Sequence, residues 1–326
     1  MTRPDVLVRV IRSGLEESVH LGHVVVSDPD GRVVAFAGDP QRMVFARSSM
    51  KPLQASVSLS VANDDTLTDA EIAVMCASHN GEPVHVEAVE RILGRAGLGF
   101  DALRCPPDWP LDPDAMAGAG PRRRELHNCS GKHAGKLLAT ARAGWDVETY
   151  LEPGHPLQQR ILETVLAATD QQDARVGVDG CGAPVHGMPL HRMALLFARL
   201  ADPVTLGSLE PFARRAVGSM LAQPYMVAGR DRVDTALMEV AGNVAVKVGA
   251  EGLLCAAVLD RSLGVAVKVD DGTARAAGPA VIQTLRGLGV LEETQVQKLR
   301  AHARPDVLGG GRPVGEMLSA VRLERG

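Results

Sequence analysis

Aromatic side chains are scarce: five Phe, two Trp and two Tyr, 3% of 326 residues. A surface that stacks single-stranded bases needs many more. Charge of one sign is lacking too. Lys and Arg total 35 against 39 Asp and Glu, a net charge of −4. Neither nucleic acid nor an anionic membrane is therefore indicated as a partner. No apolar run reaches the roughly 20 residues of a membrane span. The opening Met-Thr-Arg-Pro-Asp leads into a short alternating segment with no apolar signal core. Five cysteines are an odd number in a long chain, which speaks against a disulfide framework. A cytoplasmic globular protein is the expectation. At 45% hydrophobic and 23% charged, the chain has ample apolar material for a core.

Alternation of apolar and polar residues predicts strands at 6–11, 19–26 and 33–36, the last two joined by Asp28-Pro29-Asp30-Gly31. Helical periodicity follows from Pro52 onward, then at 69–76, 85–96, 156–168, 190–200, 206–221 and 231–240. Residues 105–121 are rich in Pro, Asp and Gly and read as a long surface loop. After Gly242 three short apolar runs, 244–248, 252–259 and 264–269, read as strands, and 274–288 and 293–303 as helices. Strands at both ends with helices between predict an α+β fold whose antiparallel sheet is closed by distant segments. The expectation is a single domain over 1–326: sheet from about 1–46 and 243–272, a mainly helical middle 47–242, and C-terminal helices 273–326.

Several short stretches carry chemistry. Ser48-x-x-Lys51 at a helix start places a hydroxyl and an amine one turn apart on one face. A lysine whose pKa is lowered can act as the base for such a serine. The first turn adds free N–H groups and the positive end of the helix dipole. Ser78 lies in the loop Ala77-Ser78-His79-Asn80-Gly81-Glu82, where a serine is commonly a turn former. Lys247-Val248-Gly249 lies on the first late strand, where the glycine leaves room for a substrate along the backbone. A lysine there also suits a sheet edge. The twin Lys268-Val269-Asp270 lacks the glycine, so Lys268 is the better plain edge residue. Cys129 with Lys132 and His133, and Cys181 with Asp179 and His186, resemble a split zinc site. Spacing alone favours His133 as a ligand, and two buried structural cysteines are the competing reading.

Six ordered motifs then join. Glu17-Ser18-x-His20-x-Gly22, Arg47-Ser48-Ser49-x-Lys51-Pro52-Leu53-Gln54, Ala77 to Glu82, His127-Asn128-Cys129-Ser130-Gly131-Lys132-His133, Val178-Asp179-Gly180-Cys181-Gly182 and Lys247-x-Gly249-Ala250-Glu251-Gly252 resemble the Rhizobium-type (class 3) L-asparaginase family. That family is similar in fold to serine β-lactamases and glutaminases, an αβα sandwich in which Lys247-Val248-Gly249 matches a K-[ST]-G strand motif with Val at the hydroxyl position. The resemblance implies hydrolysis of L-asparagine to L-aspartate and ammonia. Ser48 with Lys51 would form one Ser-Lys pair, Ser48 being the nucleophile, and Ser78 with Lys247 a second that relays a proton. The N–H groups of Ser48 and Ala250 are the expected oxyanion hole. Arg47 and Asp179 would hold the α-carboxylate and α-ammonium of the substrate. The resemblance also implies zinc on Cys129, Lys132 and Cys181, with His133 in reserve, and a homodimer. Glutamine or another small amide as substrate, and a zinc-stabilised small-molecule binding protein, are the alternatives.

Overall fold

The computed structural model describes residues 3–326. In chain order, strands β1 (Asp5–Arg12), β2 (Leu15–Ser27), β3 (Val33–Ala37) and β4 (Met43–Phe45) precede helices α1 (Lys51–Ala62), α2 (Asp69–Met75), α3 (Pro83–Arg95), α4 (Pro113–Gly118), α5 (Ser130–Arg142) and α6 (Pro156–Ala168). Strands β5 (Arg175–Val178) and β6 (Pro184–Pro189) lead to α7 (Leu190–Ala201), α8 (Glu210–Ala222), α9 (Pro224–Val227) and α10 (Val233–Ala241). Then come β7 (Val244–Val248), β8 (Leu253–Val258), β9 (Leu263–Val269), α11 (Ala277–Gly287), α12 (Glu293–Lys298), α13 (Arg300–Ala303), β10 (Asp306–Gly309), β11 (Arg312–Ser319) and β12 (Glu324–Arg325). The fold is α+β, its antiparallel sheet drawn from N- and C-terminal strands. The chain divides into two compact units.

One unit, residues 3–49, 188–202 and 236–326, contains this sheet, in the order β10-β11-β1-β2-β9-β8-β7. The 13-residue β2 pairs with β1 through its first half and with β3 through its second, and β9 takes its other edge. Every residue of β8 is buried, so both of its faces are covered. Helices α7 and α11 both pack on β8 and β9. Gly264 makes the first contact possible: a Cβ there would stand 1.9 Å from Ala194 O and 2.2 Å from Ala198 N.

The other unit, residues 50–187 and 203–235, is mainly helical and is built around α5. Residues 130–140 of α5 are all buried, against α1, α2, α3 and α6. Gly131 and Gly135, four apart on one face, admit the end of α2. A Cβ at Gly131 would meet Val74 O at 2.1 Å, and one at Gly135 would meet Met75 Cε at 2.6 Å. A capping box starts α2: the Thr68 side chain accepts from Glu71 N–H, and Glu71 Oε2 accepts from Thr68 N–H at 2.8 Å.

Four expectations are corrected. The chain beyond Ala303 is strand, not helix. Residues 306–319 fold as the hairpin β10–β11, and β11 adds to β1. Gly310 and Gly311, at φ +57 and +76, make its turn. Lys268 is not an edge residue, because β9 lies between β2 and β8; β7, carrying Lys247, ends the sheet order, and yet Lys247 is buried. The helix expected over 206–221 starts at Glu210, after a 3-10 segment in which Gly207 takes φ 58. The expected loop 105–121 encloses α4 and a bridge from Asp108 to Arg123.

Gly264→Ala is expected to destabilise the protein by about 1–3 kcal/mol, because helix backbone cannot yield as a side chain can. Equilibrium denaturation against wild type measures it, and an unchanged midpoint would contradict the close contact.

Candidate active site

In the helical unit, Lys51 opens α1 and is wholly buried. Its amine donates to Ser78 Oγ at 2.9 Å, to Ala77 O and to Cys129 Sγ at 3.2 Å. Burial, reinforced by the nearby Lys132, holds the amine below its ordinary pKa, with Cys129 opposing. Ser78 is held by its backbone: Ser78 N–H donates to Val227 O at 2.9 Å and Asn80 N–H to Ala228 O at 2.8 Å. The adjoining His79 accepts from Gly81 N–H on Nδ1 at 3.1 Å and meets Ser130 Oγ through Nε2 at 3.0 Å. Ser130 gives its own proton to Glu125 O, so His79 carries its proton on Nε2. Burial keeps its pKa well below the usual value. It is a structural strut between the Ser78 loop and α5.

Lys132, Cys129 and Cys181 converge on the far side of Lys51. Cys129 precedes α5 and Lys132 sits in its first turn. Cys181 is presented by the turn that follows β5, where Gly182 adopts φ +85 and its N–H bonds Asp179 O at 2.8 Å. Lys132 Nζ donates to Cys181 Sγ at 2.9 Å. A hydrogen bond with Cys129 and the Lys132 charge hold Cys181 far below the ordinary thiol range. Cys129 is raised in turn, first by that bond and then by burial. The two thiols therefore titrate as one coupled pair. Burial pulls Lys132 down, but the charges of Cys181 and Cys129 outweigh it and raise its pKa. Asp179, half-buried in the same turn, bonds Gly180 N–H at 2.9 Å.

Two sulfurs and one amine on a buried spot suit zinc, which favours thiolate and nitrogen donors. Among the described residues, no group of three His, Cys, Asp or Glu side chains is arranged to hold a metal. The third donor of such a site would be the Lys132 amine. The donor set thus fits the metal that the family motifs imply, and only with lysine included.

In the sheet unit, Arg47 and Ser48 begin the 3-10 turn Arg47–Met50 that runs into α1. Arg47 sits at φ +45, a conformation costly for a residue with a Cβ and concentrated at functional sites. Ser49 anchors the turn to β7: its buried Oγ donates to Lys247 O at 3.1 Å. A Cβ at Gly249 would stand 2.9 Å from that Oγ, so the strand needs glycine there. Lys247 Nζ donates to Val248 O at 2.8 Å. Ser48 and Ala250 are both half-buried. Arg47, Phe45, Ala250, Glu251, Leu253 and Lys268 line a cavity of about 260 Å³. A larger cavity of about 830 Å³, lined by Asp5, Arg9, Gln283 and Arg322, contains none of the candidate residues. The smaller one contains Arg47 and Ala250 of the candidate residues.

Sequence reasoning did not find Tyr150, Lys136 or Gln158 as members of the buried polar layer. Tyr150 follows Glu148-Thr149 and Gln158 precedes Gln159-Arg160, so their polar neighbours hide them, and Lys136 lies one turn beyond Lys132 on α5. Lys136 is wholly buried, and its amine is 3.5 Å from Gln158 Oε1. Burial, with Lys132 nearby, lowers its pKa to about 7.

A family model described as L-asparaginase II matches residues 8–319. The chain belongs to the L-asparaginase II family, and amidohydrolase is the class that this membership supports. A search of curated proteins finds no match. Among solved structures, the protein Mglu in its native form aligns at 15% identity and TM-score 0.46, over 83% of this chain and 65% of Mglu. This chain therefore spans under two thirds of Mglu's length. A β-lactamase from Mycobacterium bovis aligns at 15% identity and TM-score 0.46, over 83% of this chain and 95% of its own. A Bacillus glutaminase aligns at 12% identity and TM-score 0.45, over 82% and 91%. Among the described residues, no helix is long and apolar enough to cross a membrane.

The buried Lys136 sets a pH signature. Between its folded pKa of about 7 and the free value near 10.4, the unfolded chain binds one more proton. Stability therefore falls as pH drops through that window. Lys136→Met is expected to stabilise the protein at pH 7 and to flatten the slope between pH 7 and 10, measured by urea denaturation. An unchanged slope would mean that Lys136 titrates normally.

Proposed function

We propose that the chain is an L-asparaginase, hydrolysing the side-chain amide of L-asparagine to L-aspartate and ammonia by serine–lysine chemistry. The observation that carries this reading is the buried Lys51 amine, depressed in pKa and 2.9 Å from Ser78 Oγ. A lowered pKa makes the neutral amine more accessible, and a neutral amine can take a proton from a serine. Ser48 is the nucleophile in this reading. It lies three residues before Lys51 at a helix start, and it is half-buried where Ser78 is buried; an attacking hydroxyl must be reachable.

Ser48 Oγ attacks the amide carbon and gives its proton to Lys51. The N–H groups of Ser48 and Ala250 are assigned to receive the oxyanion. Ser78 passes a proton from Lys51 to the amide nitrogen, the C–N bond breaks and ammonia leaves. Lys247 is assigned with Ser78 to this proton relay on the family motif. Water then attacks the Ser48 ester, losing a proton to Lys51, which passes it to Ser48 Oγ as the ester C–O bond breaks and aspartate departs. Arg47 is assigned the substrate carboxylate and Asp179 the ammonium. Cys129, Cys181 and the Lys132 amine in its neutral form would hold zinc, which would supply a fixed positive charge beside the substrate. A homodimer and a cytoplasmic location complete this reading.

The 2.9 Å Lys51–Ser78 bond also favours a second reading, in which Ser78 itself attacks. Acid quench during turnover of L-asparagine, followed by peptide mass mapping, separates the two. The acyl adduct is expected on the peptide containing Ser48, and an adduct on Ser78 would reverse the assignment. Ser48→Ala and Lys51→Met are each expected to lower kcat by ~10³-fold or more in ammonia release, with the fold retained. Equal or faster turnover of L-glutamine would make the protein a glutaminase on the same machinery. Wild type is expected to bind about one zinc per chain and Cys181→Ser to lose it, by elemental analysis. Cys181→Ser dead beside an active Ser48→Ala would point instead to metal-led hydrolysis.

A further inference from the structure

We infer that Lys268 is a positioning residue, which clamps the β7–β8 connection from β9 and so aims the Ala250 N–H. Aiming that N–H matters only under the oxyanion reading above, whereas the clamp itself stands apart from it. Residues 249–252 make the connection. Three successive carbonyls in it are engaged. Ala250 O accepts from Leu253 N–H at 3.3 Å, and Gly252 O from Val269 N–H at 3.0 Å. Between them, Glu251 O accepts from Lys268 Nζ. The outer two are backbone bonds, which most substitutions leave in place. The middle one comes from a side chain, so a single substitution removes it.

Glu251 needs that hold. It sits at φ +58, a left-handed conformation costly for a residue with a Cβ. Gly252 follows at φ +69, where a Cβ would stand 2.9 Å from Val269 Cβ and 3.0 Å from Val269 O. The connection therefore lies directly against the end of β9. Leu253 pairs with Lys268 across β8 and β9, which places the lysine at that end. Lys268 Nζ also donates to Val269 O at 2.9 Å, so one half-buried amine joins the two backbones. The turn that follows fixes Val269: Gly272 N–H donates to Val269 O at 3.2 Å. His20, from the motif at 17–22, anchors this turn. Arg275 Nε–H donates to His20 Nε2 at 3.0 Å, so the ring proton is on Nδ1 and goes to Asp271 Oδ2 at 2.6 Å. Lys268, Ala250 and Glu251 all line the cavity that holds Arg47. Without the clamp, Glu251 relaxes toward negative φ, which turns the peptides on either side of it and carries Ala250 out of place.

The test compares wild type, Lys268→Met and Lys268→Arg as full chains, by amide hydrogen exchange over residues 249–252 and by kcat and KM for L-asparagine. Lys268→Met is expected to exchange faster in that connection and at the wild-type rate in the helical unit. Its kcat is expected to fall about 10–100-fold, short of the loss on deleting an oxyanion donor outright, with KM little changed. Lys268→Arg, which keeps the charge and the donors, is expected to recover much of both. Should Lys268→Met not fold, Lys268→Gln takes its place with the same expectations. Wild-type exchange over 249–252 in the variant would overturn the clamp. A raised KM at unchanged kcat would make Lys268 a substrate-binding residue and overturn the positioning role, as would faster exchange with unchanged kcat. Glu251→Gly removes the strain, so in that background Lys268→Met is expected to cost less kcat than in wild type; an equal cost would show that the amine acts elsewhere. A wild type that releases no ammonia would sink the proposed function, while the exchange data still decide the clamp.

Discussion

Burying positive charge is the constraint on which the helical unit turns. Lys51, Lys132 and Lys136 are all buried within it, two of them on α5. A buried ammonium is costly unless it is paired or gives up its proton. The three amines answer this differently. Lys132 pairs with the Cys181 thiolate and is raised. Lys136, with only a long bond to Gln158, is lowered. Lys51 is lowered while still bonded to a hydroxyl, a carbonyl and a sulfur. Only the last combination sets an amine of lowered pKa beside a serine hydroxyl.

That arrangement requires close helix packing. Gly131 and Gly135 let α2 approach α5, and the segment after α2 carries Ser78 toward Lys51. The cap at Thr68 and the bonds from Ser78 and Asn80 to Val227 and Ala228 fix both ends of that approach. In the sheet unit the logic repeats with other parts. Ser49 ties the Ser48 turn to the Lys247 strand, and Gly249 leaves the space for it. In each unit a glycine admits a backbone or hydroxyl that positions a candidate catalytic serine. The metal-type cluster and the serine–lysine pair share one atom contact, Lys51 Nζ to Cys129 Sγ. Anything that alters the charge on that sulfur is therefore felt by the base.

Much of the fold was legible. The strands at both ends were marked by alternation, and the run Val244 to Val248 is bounded in the structure as the sequence reads. The hairpin 306–319 escaped because its apolar residues do not alternate cleanly, although Gly309-Gly310-Gly311 was a turn signal. Lys268 misled because its local pattern matches that of Lys247. Strand order, which separates a central strand from a terminal one, is a property of pairing and not of any single strand.

The sequence by itself determined the residue types, the helix starts and the ordered motifs. Capping, turn chemistry and periodicity act within a few residues of one another, so they can be read locally. Only the tertiary structure decided which serine stands beside Lys51 and which amines are buried. Each depends on atoms brought together from distant positions, as Lys51 is with Ser78 and Cys129. Burial and hydrogen-bond partners set a pKa or a tautomer, and neither exists until the chain has packed.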